Sequence, residues 1–403
     1  MDEKDSTFQI TILTFNQGNA WRSNKSLSTY EQTTVNKFIK QNVIGSAFFV
    51  LGLQEATNTL VDYLDAQLKA IGYIHIVKYS RGQLTLGDIH LHVWQLVNYI
   101  ISVPIPAKSI ITGFRICTQT QISGTQSSGS QTAKTSGSQI GTLQTAQTKT
   151  TFMTKLKSLA LKTEAIVSGV AGQTRKGALY AIIPFKGLNL IFSSCHLPSS
   201  ASDVGARNGC LTQIVSELKK TKPDVVLFVF GDLNYRTSTT KKVTDVNERK
   251  QIETFICNKV MNANQQHLHD QLYLALQSNP QVKGLGLVEP PFTFCQTCKL
   301  LETTDVTSRH FDPTRVPSWC DRILFSPTNF NRGQSSTQPS KTNLKLGQSS
   351  PQSSKTNPKF GTFAQLSKTN PKFGQIDAIK YDSLLLSPQS DHDAVFGVYV
   401  IHL

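Results

Sequence analysis

The chain has 403 residues, of which 38% are apolar, and it carries a formal net charge of +15. This length allows one large domain or two ordinary ones, and the apolar content excludes a chain that is disordered throughout. The positive charge suits an anionic partner, such as a phosphorylated ligand, a membrane surface or a nucleic acid. No stretch approaches the ~20 consecutive apolar residues of a membrane-spanning helix, so we expect none.

Two segments, 118–150 and 331–375, are rich in Ser, Thr and Gln and contain no Asp or Glu. We predict that both are surface insertions in a single catalytic domain spanning 1–403, because they bury too little apolar surface to fold alone. The lysines of the second segment could alternatively tether the chain to anionic lipid, but their wide spacing makes a weak patch. The second segment contains a short repeat, at 340–347, 354–361 and 367–374.

Cysteine usage and the N-terminal sequence indicate the cellular compartment of the protein. The seven cysteines are odd in number and scattered, and residues 1–10 have neither the basic nor the apolar region of a secretory signal. We therefore expect reduced thiols in a monomeric cytoplasmic protein that contacts membranes transiently.

Strand-like and helix-like patterns alternate along the rest of the chain. The predicted strands are 8–15, 48–53, 190–195, 225–230 and 394–401. The predicted helices are 60–68, with Gly72 as a stop, then 211–218, ended by Pro223, and a third across 249–277. Strands and helices mixed in this order indicate α/β or α+β packing, with helices covering sheets.

Each of the five predicted strands ends in, or is preceded by, a short polar cluster. One such cluster is an ordinary solvated strand end, but five in the same position favour an active site, because catalytic groups often lie where strands meet loops. The polar residues of the clusters are Asn16, Gln17, Gln54, Glu55, His196, Asp232, Asn234, Ser390, Asp391 and His392.

These clusters contain mainly oxygen ligands, from three carboxylates and two side-chain amides. Such a set suits Mg²⁺, with Mn²⁺ as a substitute, better than Zn²⁺. A divalent cation beside two histidines fits the hydrolysis of a phosphate ester. The oxygen ligands are Glu55, Asp232, Asp391, Asn16 and Asn234.

A sixth segment contains Asp321, which lies two positions before an apolar run that starts at 323 and is therefore predicted to begin a buried strand. A buried carboxylate needs a partner. We predict that Asp321 pairs with His392 and fixes the tautomer of its imidazole ring.

The segments GDLNYR (231–236) and PSWCDRIL (317–324) resemble the two signature motifs of the inositol polyphosphate 5-phosphatases. That family belongs to the endonuclease/exonuclease/phosphatase superfamily, together with DNase I-like nucleases and neutral sphingomyelinases. TFNQGN, LGLQE, CHL and SDHDAVFGVYV follow in the family's order, so the resemblance runs almost end to end. It implies a DNase I-like four-layer sandwich, in which two packed mixed sheets are flanked by helices.

The resemblance also implies roles for individual residues. Glu55 and Asn16 would bind Mg²⁺, with a contribution from Asp391. Asp232 would orient or deprotonate the attacking water, and whether it or His392 takes the proton is left open.

Further roles follow from the same resemblance. Asn234 would hold water or phosphate, His196 and His392 would contact the scissile phosphate, and Asp321 would orient His392. Contacts to the rest of the substrate would come from Tyr235, Arg236, Arg315 and Lys176. The family's lysine after Pro-Pro-Thr-aromatic is replaced here by Cys295, and its Asn-Lys-Gly element begins with Arg175.

The sequence thus predicts a Mg²⁺-dependent enzyme that removes the 5-phosphate of phosphoinositides. PtdIns(4,5)P2 is the leading substrate, soluble inositol polyphosphates come second, and no nucleic-acid partner is expected. One alternative is a nuclease or sphingomyelinase of the same superfamily. Another is a catalytically weak phosphoinositide- or RNA-binding protein that acts through its lysine-rich repeats.

Overall fold

A computed structural model describes most of the chain outside the two predicted insertions. The described residues are 7–18, 20–21, 26–81, 89–102, 111–115, 176–200, 203–221, 225–237, 269–303, 310–312, 315–326 and 374–403. The insertion at 118–150 lies outside the described residues, as does the insertion at 331–375 except for its last two residues. The single-domain organisation stays a prediction.

Eleven strands in the described residues form two sheets. In chain order they are β1 (Thr7–Asn16), β2 (Phe48–Gln54), β3 (Tyr73–Arg81), β4 (Ile89–Leu96), β5 (Ile111–Arg115), β6 (Gly177–Phe185), β7 (Leu188–His196), β8 (Val225–Asp232), β9 (Asp321–Ser326), β10 (Ile376–Leu384) and β11 (Ala394–His402). The first sheet has the order β10-β11-β1-β2-β4-β3 and the second the order β5-β6-β7-β8-β9. Both are mixed, because β1 runs parallel to β2 and β7 parallel to β8 while the other neighbours are antiparallel.

Most of the helices cover the outer face of a sheet. The helices of the described residues are α1 (Thr29–Phe38), α2 (Thr59–Ala70), α3 (Val97–Ser102), α4 (Val204–Thr221), α5 (Gln271–Ser278) and α6 (Pro280–Lys283), and a π-helical turn (Ile39–Val43) continues α1. Apolar residues of α1 and α2 pack on the first sheet, and those of α4, α5 and α6 pack on the second. A third apolar cluster fills the space between the sheets. The predicted four-layer sandwich is confirmed.

All five predicted strands are present, each extended by one or more residues. The helix predicted across 249–277 lies outside the described residues up to 268. In the described part it begins only at Gln271, because Asp270 is extended and its side chain accepts a hydrogen bond from the backbone N–H of Leu272 at 3.1 Å. The prediction is therefore wrong at 269–270. Within the described ranges, each helix is too short or too polar to cross a membrane.

A buried group of charges fixes the start of β9. The guanidinium group of Arg322 lies 2.7 Å from Oδ2 of Asp270, and its Nε donates to Oε1 of Glu289 at 2.6 Å. It also sits over the ring of Phe292, 4.9 Å from the centroid. The hydroxyl of Tyr381, on β10, donates to the same oxygen of Glu289 at 2.7 Å. These contacts tie β9 to the start of α5 and to the first sheet.

Removing Arg322 should destabilise the fold severely. In Arg322→Ala, Asp270 and Glu289 lose the cation that offsets their burial, and we expect the free energy of unfolding to fall by about 3–5 kcal/mol. Urea denaturation would measure it. Lys220→Ala removes an exposed cation paired with Glu217 and should cost less than about 1 kcal/mol. Equal unfolding midpoints for the two variants would contradict the stabilising role of Arg322.

Three histidines form a hydrogen-bonded row on β3 and β4, beside α2. Nδ1 of His75 lies 2.8 Å from Oδ1 of Asp65, and Nε2 of His75 lies 3.1 Å from Nδ1 of His92. Nε2 of His92 lies 3.4 Å from Nδ1 of His90. Burial lowers the pKa of His75 and of His90 to about 4, and that of His92 to about 2. All three are therefore neutral at pH 7.

This row should make the fold sensitive to acid. The unfolded chain, in which histidine has a pKa of about 6.5, binds more protons than the folded chain between pH 6.5 and 4. The free energy of unfolding should therefore fall as the pH drops through this window, by roughly 2 kcal/mol for each histidine between pH 7 and pH 5. Urea denaturation at both pH values should show a smaller fall for His92→Gln than for the natural chain. An equal fall in both proteins would disprove this role.

Candidate active site

The register of the strands brings the predicted polar clusters to one edge of the sandwich. In the first sheet Asn16, at the end of β1, lies opposite Gln54 at the end of β2. In the second sheet Asp232 lies opposite His196 on one side and opposite Asp321 on the other. Parallel neighbours end at the same edge, so residues distant in the sequence meet there.

Side chains from the two sheets touch at this edge. Nδ2 of Asn16 donates to Oδ2 of Asp232 at 2.9 Å and so joins β1 to β8. The turn before β11 is attached to the same place, because the hydroxyl of Ser390 donates to the carbonyl oxygen of Asn16 at 2.8 Å. The site is therefore built across the interface between the sheets.

The predicted contact between Asp321 and His392 is present. Nδ1 of His392 lies 2.8 Å from Oδ2 of Asp321, which also accepts a hydrogen bond from the hydroxyl of Thr297 at 2.7 Å. Burial favours the neutral imidazole, but the charges of Asp321, Asp232 and Asp391 prevail and raise the pKa of His392 to about 10. His392 is therefore a cation at neutral pH.

Asp232 is buried and held by three donors. Its Oδ1 accepts from the backbone N–H of Asn234 at 3.0 Å, and its Oδ2 lies 3.3 Å from Nε2 of His196 besides accepting from Asn16. Burial opposes ionisation, but the hydrogen bond from His196 and the charge of His392 lower the pKa of Asp232 far below its ordinary value. Asp232 is therefore a carboxylate at neutral pH.

Lys176 reaches into the site and contacts Nε2 of His196. Burial, together with the charge of Lys176, lowers the pKa of His196, so this imidazole is neutral. Burial also lowers the pKa of Lys176, although the charges of Asp232 and Glu55 oppose this effect. The predicted substrate-binding lysine thus lies beside the predicted phosphate-contacting histidine.

The predicted metal ligands lie around this centre. Glu55 follows β2 directly, is half-buried, and has a φ of 51°, so its backbone turns sharply at the end of the strand. Its charge acts on both Lys176 and His196. Asp391 is paired with Lys299, whose Nζ lies 2.7 Å from its Oδ2.

The donor atoms of the site fit a hard divalent cation. Ligand atoms of Asp232, Asp321 and His392 lie within 4.8 Å of one another, but a protonated His392 is not a metal ligand, so oxygen donors would hold the cation. Glu55 and Asn16 add carboxylate and amide oxygens at the same edge, and oxygen donors are what Mg²⁺ and Mn²⁺ prefer.

Of the predicted substrate-binding residues, Arg236 lies in the site, Arg315 is exposed, and Tyr235 is buried away from the site. Nη2 of Arg236 donates to Oδ1 of Asn234 at 2.5 Å, which holds its guanidinium group beside Asp232. Tyr235, by contrast, is fully buried and its hydroxyl donates to Oδ1 of Asn208 on α4 at 2.8 Å. Its side chain points into the protein because α4 supplies the partner for its hydroxyl, so it does not line the site.

One segment of the site, at 297–300, could not be identified from the sequence. The backbone of Thr297 accepts from the N–H of Asp393 at 2.9 Å, and the N–H of Leu300 donates to the carbonyl oxygen of Asp391 at 2.9 Å. The segment therefore runs along the turn that carries His392. It has no charge pattern or motif of its own, and only its contacts reveal its position.

Comparisons with known proteins agree with this geometry. The sequence model of the Endonuclease/Exonuclease/phosphatase family 2 matches residues 13–398. The type IV inositol polyphosphate 5-phosphatase 11 of Arabidopsis thaliana is 32% identical over 161 residues, which are 39% of this chain and 44% of that relative. The match thus spans less than half of the curated relative.

Two solved structures share the fold. The inositol polyphosphate 5-phosphatase domain of SPsynaptojanin, in complex with inositol (1,4)-bisphosphate and calcium, has a TM-score of 0.51 and 17% identity over 99% of this chain and 86% of that one. Cimex nitrophorin in its ferrous NO complex has a TM-score of 0.55 and 15% identity over 99% of both chains. The resemblance and the fold class predicted from the sequence are confirmed.

Proposed function

The chain belongs to the Endonuclease/Exonuclease/phosphatase family 2, a family of hydrolases, and on that premise we propose that it removes the 5-phosphate of phosphoinositides in a Mg²⁺-dependent reaction. PtdIns(4,5)P2 is the leading substrate and soluble inositol polyphosphates come second. The observation that carries the proposal is the meeting of Asp232, at the end of β8, with Asp321 and His392, whose ligand atoms all lie within 4.8 Å of one another at one edge of the two sheets.

Support for an inositol phosphate as substrate comes from two sources. The Arabidopsis relative is an inositol polyphosphate 5-phosphatase, and the SPsynaptojanin domain was solved with an inositol bisphosphate. In this chain Arg236 lies two residues from Asn234 and donates to its side chain, so a guanidinium group, a type that binds phosphate well, stands beside Asp232.

The charges of the site indicate what its groups do at the phosphate. Asp232 is a carboxylate and orients the attacking water, whose oxygen bonds to phosphorus as the bond from phosphorus to the inositol oxygen breaks. The attacking water releases one proton and the leaving inositol oxygen takes one up, so the reaction balances. The carboxylates around His392 favour its protonated, positively charged form. His392 donates a hydrogen bond to the phosphate group through Nε2 and offsets the negative charge that develops there.

Glu55, Asn16 and Asp391 would hold the divalent cation, which when bound offsets negative charge on the phosphate and on the leaving oxygen. Asp321 keeps the ring of His392 in place through Nδ1 and leaves Nε2 for the phosphate. Lys176, Arg236 and Arg315 supply positive charge for the substrate.

From the sequence we further propose a monomeric cytoplasmic protein that contacts membranes transiently and has no nucleic-acid substrate.

Phosphate release from short-chain PtdIns(4,5)P2, Ins(1,4,5)P3 and PtdIns(4)P, with Mg²⁺ and with EDTA, tests the proposal. We expect Mg²⁺-dependent release from the first two only, because PtdIns(4)P has no 5-phosphate. Asp232→Asn keeps the shape of the side chain but removes its charge, and it should lower turnover on the order of 10²–10⁴-fold. The matched control is Asp382→Asn, which removes an exposed carboxylate on β10.

Three other results would contradict the proposal. Release from PtdIns(4)P would mean that the 5-phosphate is not the target. Nicking of plasmid DNA or cleavage of sphingomyelin would favour the alternative hydrolases. No release from any of the three substrates by a folded protein with Mg²⁺ would favour a binding protein.

A further inference from the structure

Lys299 is a charged residue of the site to which the sequence analysis assigned no role. Its Nζ lies 2.7 Å from Oδ2 of Asp391, and the side chains are 31% and 17% exposed. The next residue, Leu300, donates its N–H to the carbonyl oxygen of Asp391 at 2.9 Å. One short segment, at 299–300, therefore holds Asp391 through both its side chain and its backbone. Asp391 is the residue directly before His392.

The other oxygen of Asp391 faces the end of β1. A Cβ atom on Gly18 would lie only 2.4 Å from Oδ1 of Asp391, so the carboxylate packs directly against this backbone. The N–H of Gly18 in turn donates to Oδ1 of Asn16 at 3.0 Å. The carboxylate of Asp391 therefore contacts Lys299 through Oδ2 and lies through Oδ1 against Gly18, which is bonded to Asn16.

The charge around Lys299 favours an anion. Arg315 is exposed and close enough that its charge opposes that of Lys299. Arg315 therefore adds a second positive charge near Lys299. An ammonium group has three donors, of which Asp391 takes one, and the remainder can reach a ligand from a fixed position.

Stability alone is a weak reason for this ion pair. Partly exposed pairs contribute only about 0–1 kcal/mol. The ion pair instead holds the Lys299 ammonium group in one position, so that less conformational freedom is lost when it binds a phosphate group.

We propose that Lys299 is a specificity-determining residue that binds a phosphate group of the substrate other than the one hydrolysed, with Asp391 as its positioning residue. This inference rests on the proposed function. The ligand is a phosphomonoester or phosphodiester on an inositol ring, whether in a lipid headgroup or in a soluble inositol phosphate.

Calorimetric titration in the presence of Mg²⁺ tests this role without turnover. The probes are inositol (1,4)-bisphosphate, which carries only non-scissile phosphates, and inorganic phosphate, which fits the hydrolytic position. Lys299→Gln should weaken binding of the bisphosphate about 10-fold, the loss expected for one hydrogen bond between charged groups, and leave binding of inorganic phosphate unchanged. Lys299→Arg should restore most of the affinity for the bisphosphate.

The matched control is Lys220→Gln, because Lys220 is paired with Glu217 on α4, among the helices that cover the second sheet. It should change neither titration. Kinetics supply a second readout: Lys299→Gln should raise KM for short-chain PtdIns(4,5)P2 and for Ins(1,4,5)P3 about 10-fold and leave kcat within about 2-fold. A higher KM for the lipid alone would still support a contact between Lys299 and a substrate phosphate, and it would show that this phosphate belongs to the lipid headgroup.

Other outcomes would overturn the inference. Unchanged affinity and KM in Lys299→Gln would show that the lysine does not touch the ligand. Equal losses for both probes would show that it acts on the hydrolytic position. If the natural chain hydrolyses the substrates and Lys299→Gln has the same affinity and KM, the role of Lys299 is disproved while the proposed function stands. If the natural chain neither binds the bisphosphate nor releases phosphate, the proposed function fails with it.

Discussion

The buried ion group of Arg322 with Asp270 and Glu289 is the contact on which the site depends most. Asp321 and Arg322 are consecutive on β9, so their side chains point to opposite faces of the strand. Arg322 is anchored among the carboxylates inside the protein, and this fixes the strand at the residue next to Asp321. The orientation of His392, which rests on Asp321, is thereby set by the core of the second sheet.

The hydrogen bond from Asn16 to Asp232 gives the packing between the sheets a chemical role. Neither sheet alone contains the site, because Asp232 belongs to the second and the turn with His392 is attached to the first. A shift of one sheet against the other would separate the carboxylate from the imidazole without breaking any strand. The aromatic core between the sheets, with Phe48, Phe228 and Tyr399 among its members, opposes such a shift.

Much of this arrangement could be predicted from the sequence, for physical reasons. Buried strands are apolar, so a polar residue at the end of one stands out, and the parallel pairs bring such ends together. The pairing of Asp321 with His392 followed from the cost of burying a carboxylate. The segment with Thr297 and Lys299 was missed, because its contacts join positions up to 92 residues apart and leave no local pattern. Tyr235 was placed at the substrate because it adjoins Arg236, whereas its hydroxyl has a partner on α4.

The row of histidines has a direction. The carboxylate of Asp65 accepts from Nδ1 of His75, which leaves Nε2 of that ring as an acceptor for His92, and the same relation repeats between His92 and His90. All three hydrogen bonds of the row are therefore made when each ring carries its hydrogen on Nδ1. Each ring then donates to the neighbour that lies nearer to α2. His92 lies in the middle of the row, where a charge would be repelled by a charge on either neighbour. It is therefore the last of the three rings to take up a proton as the pH falls.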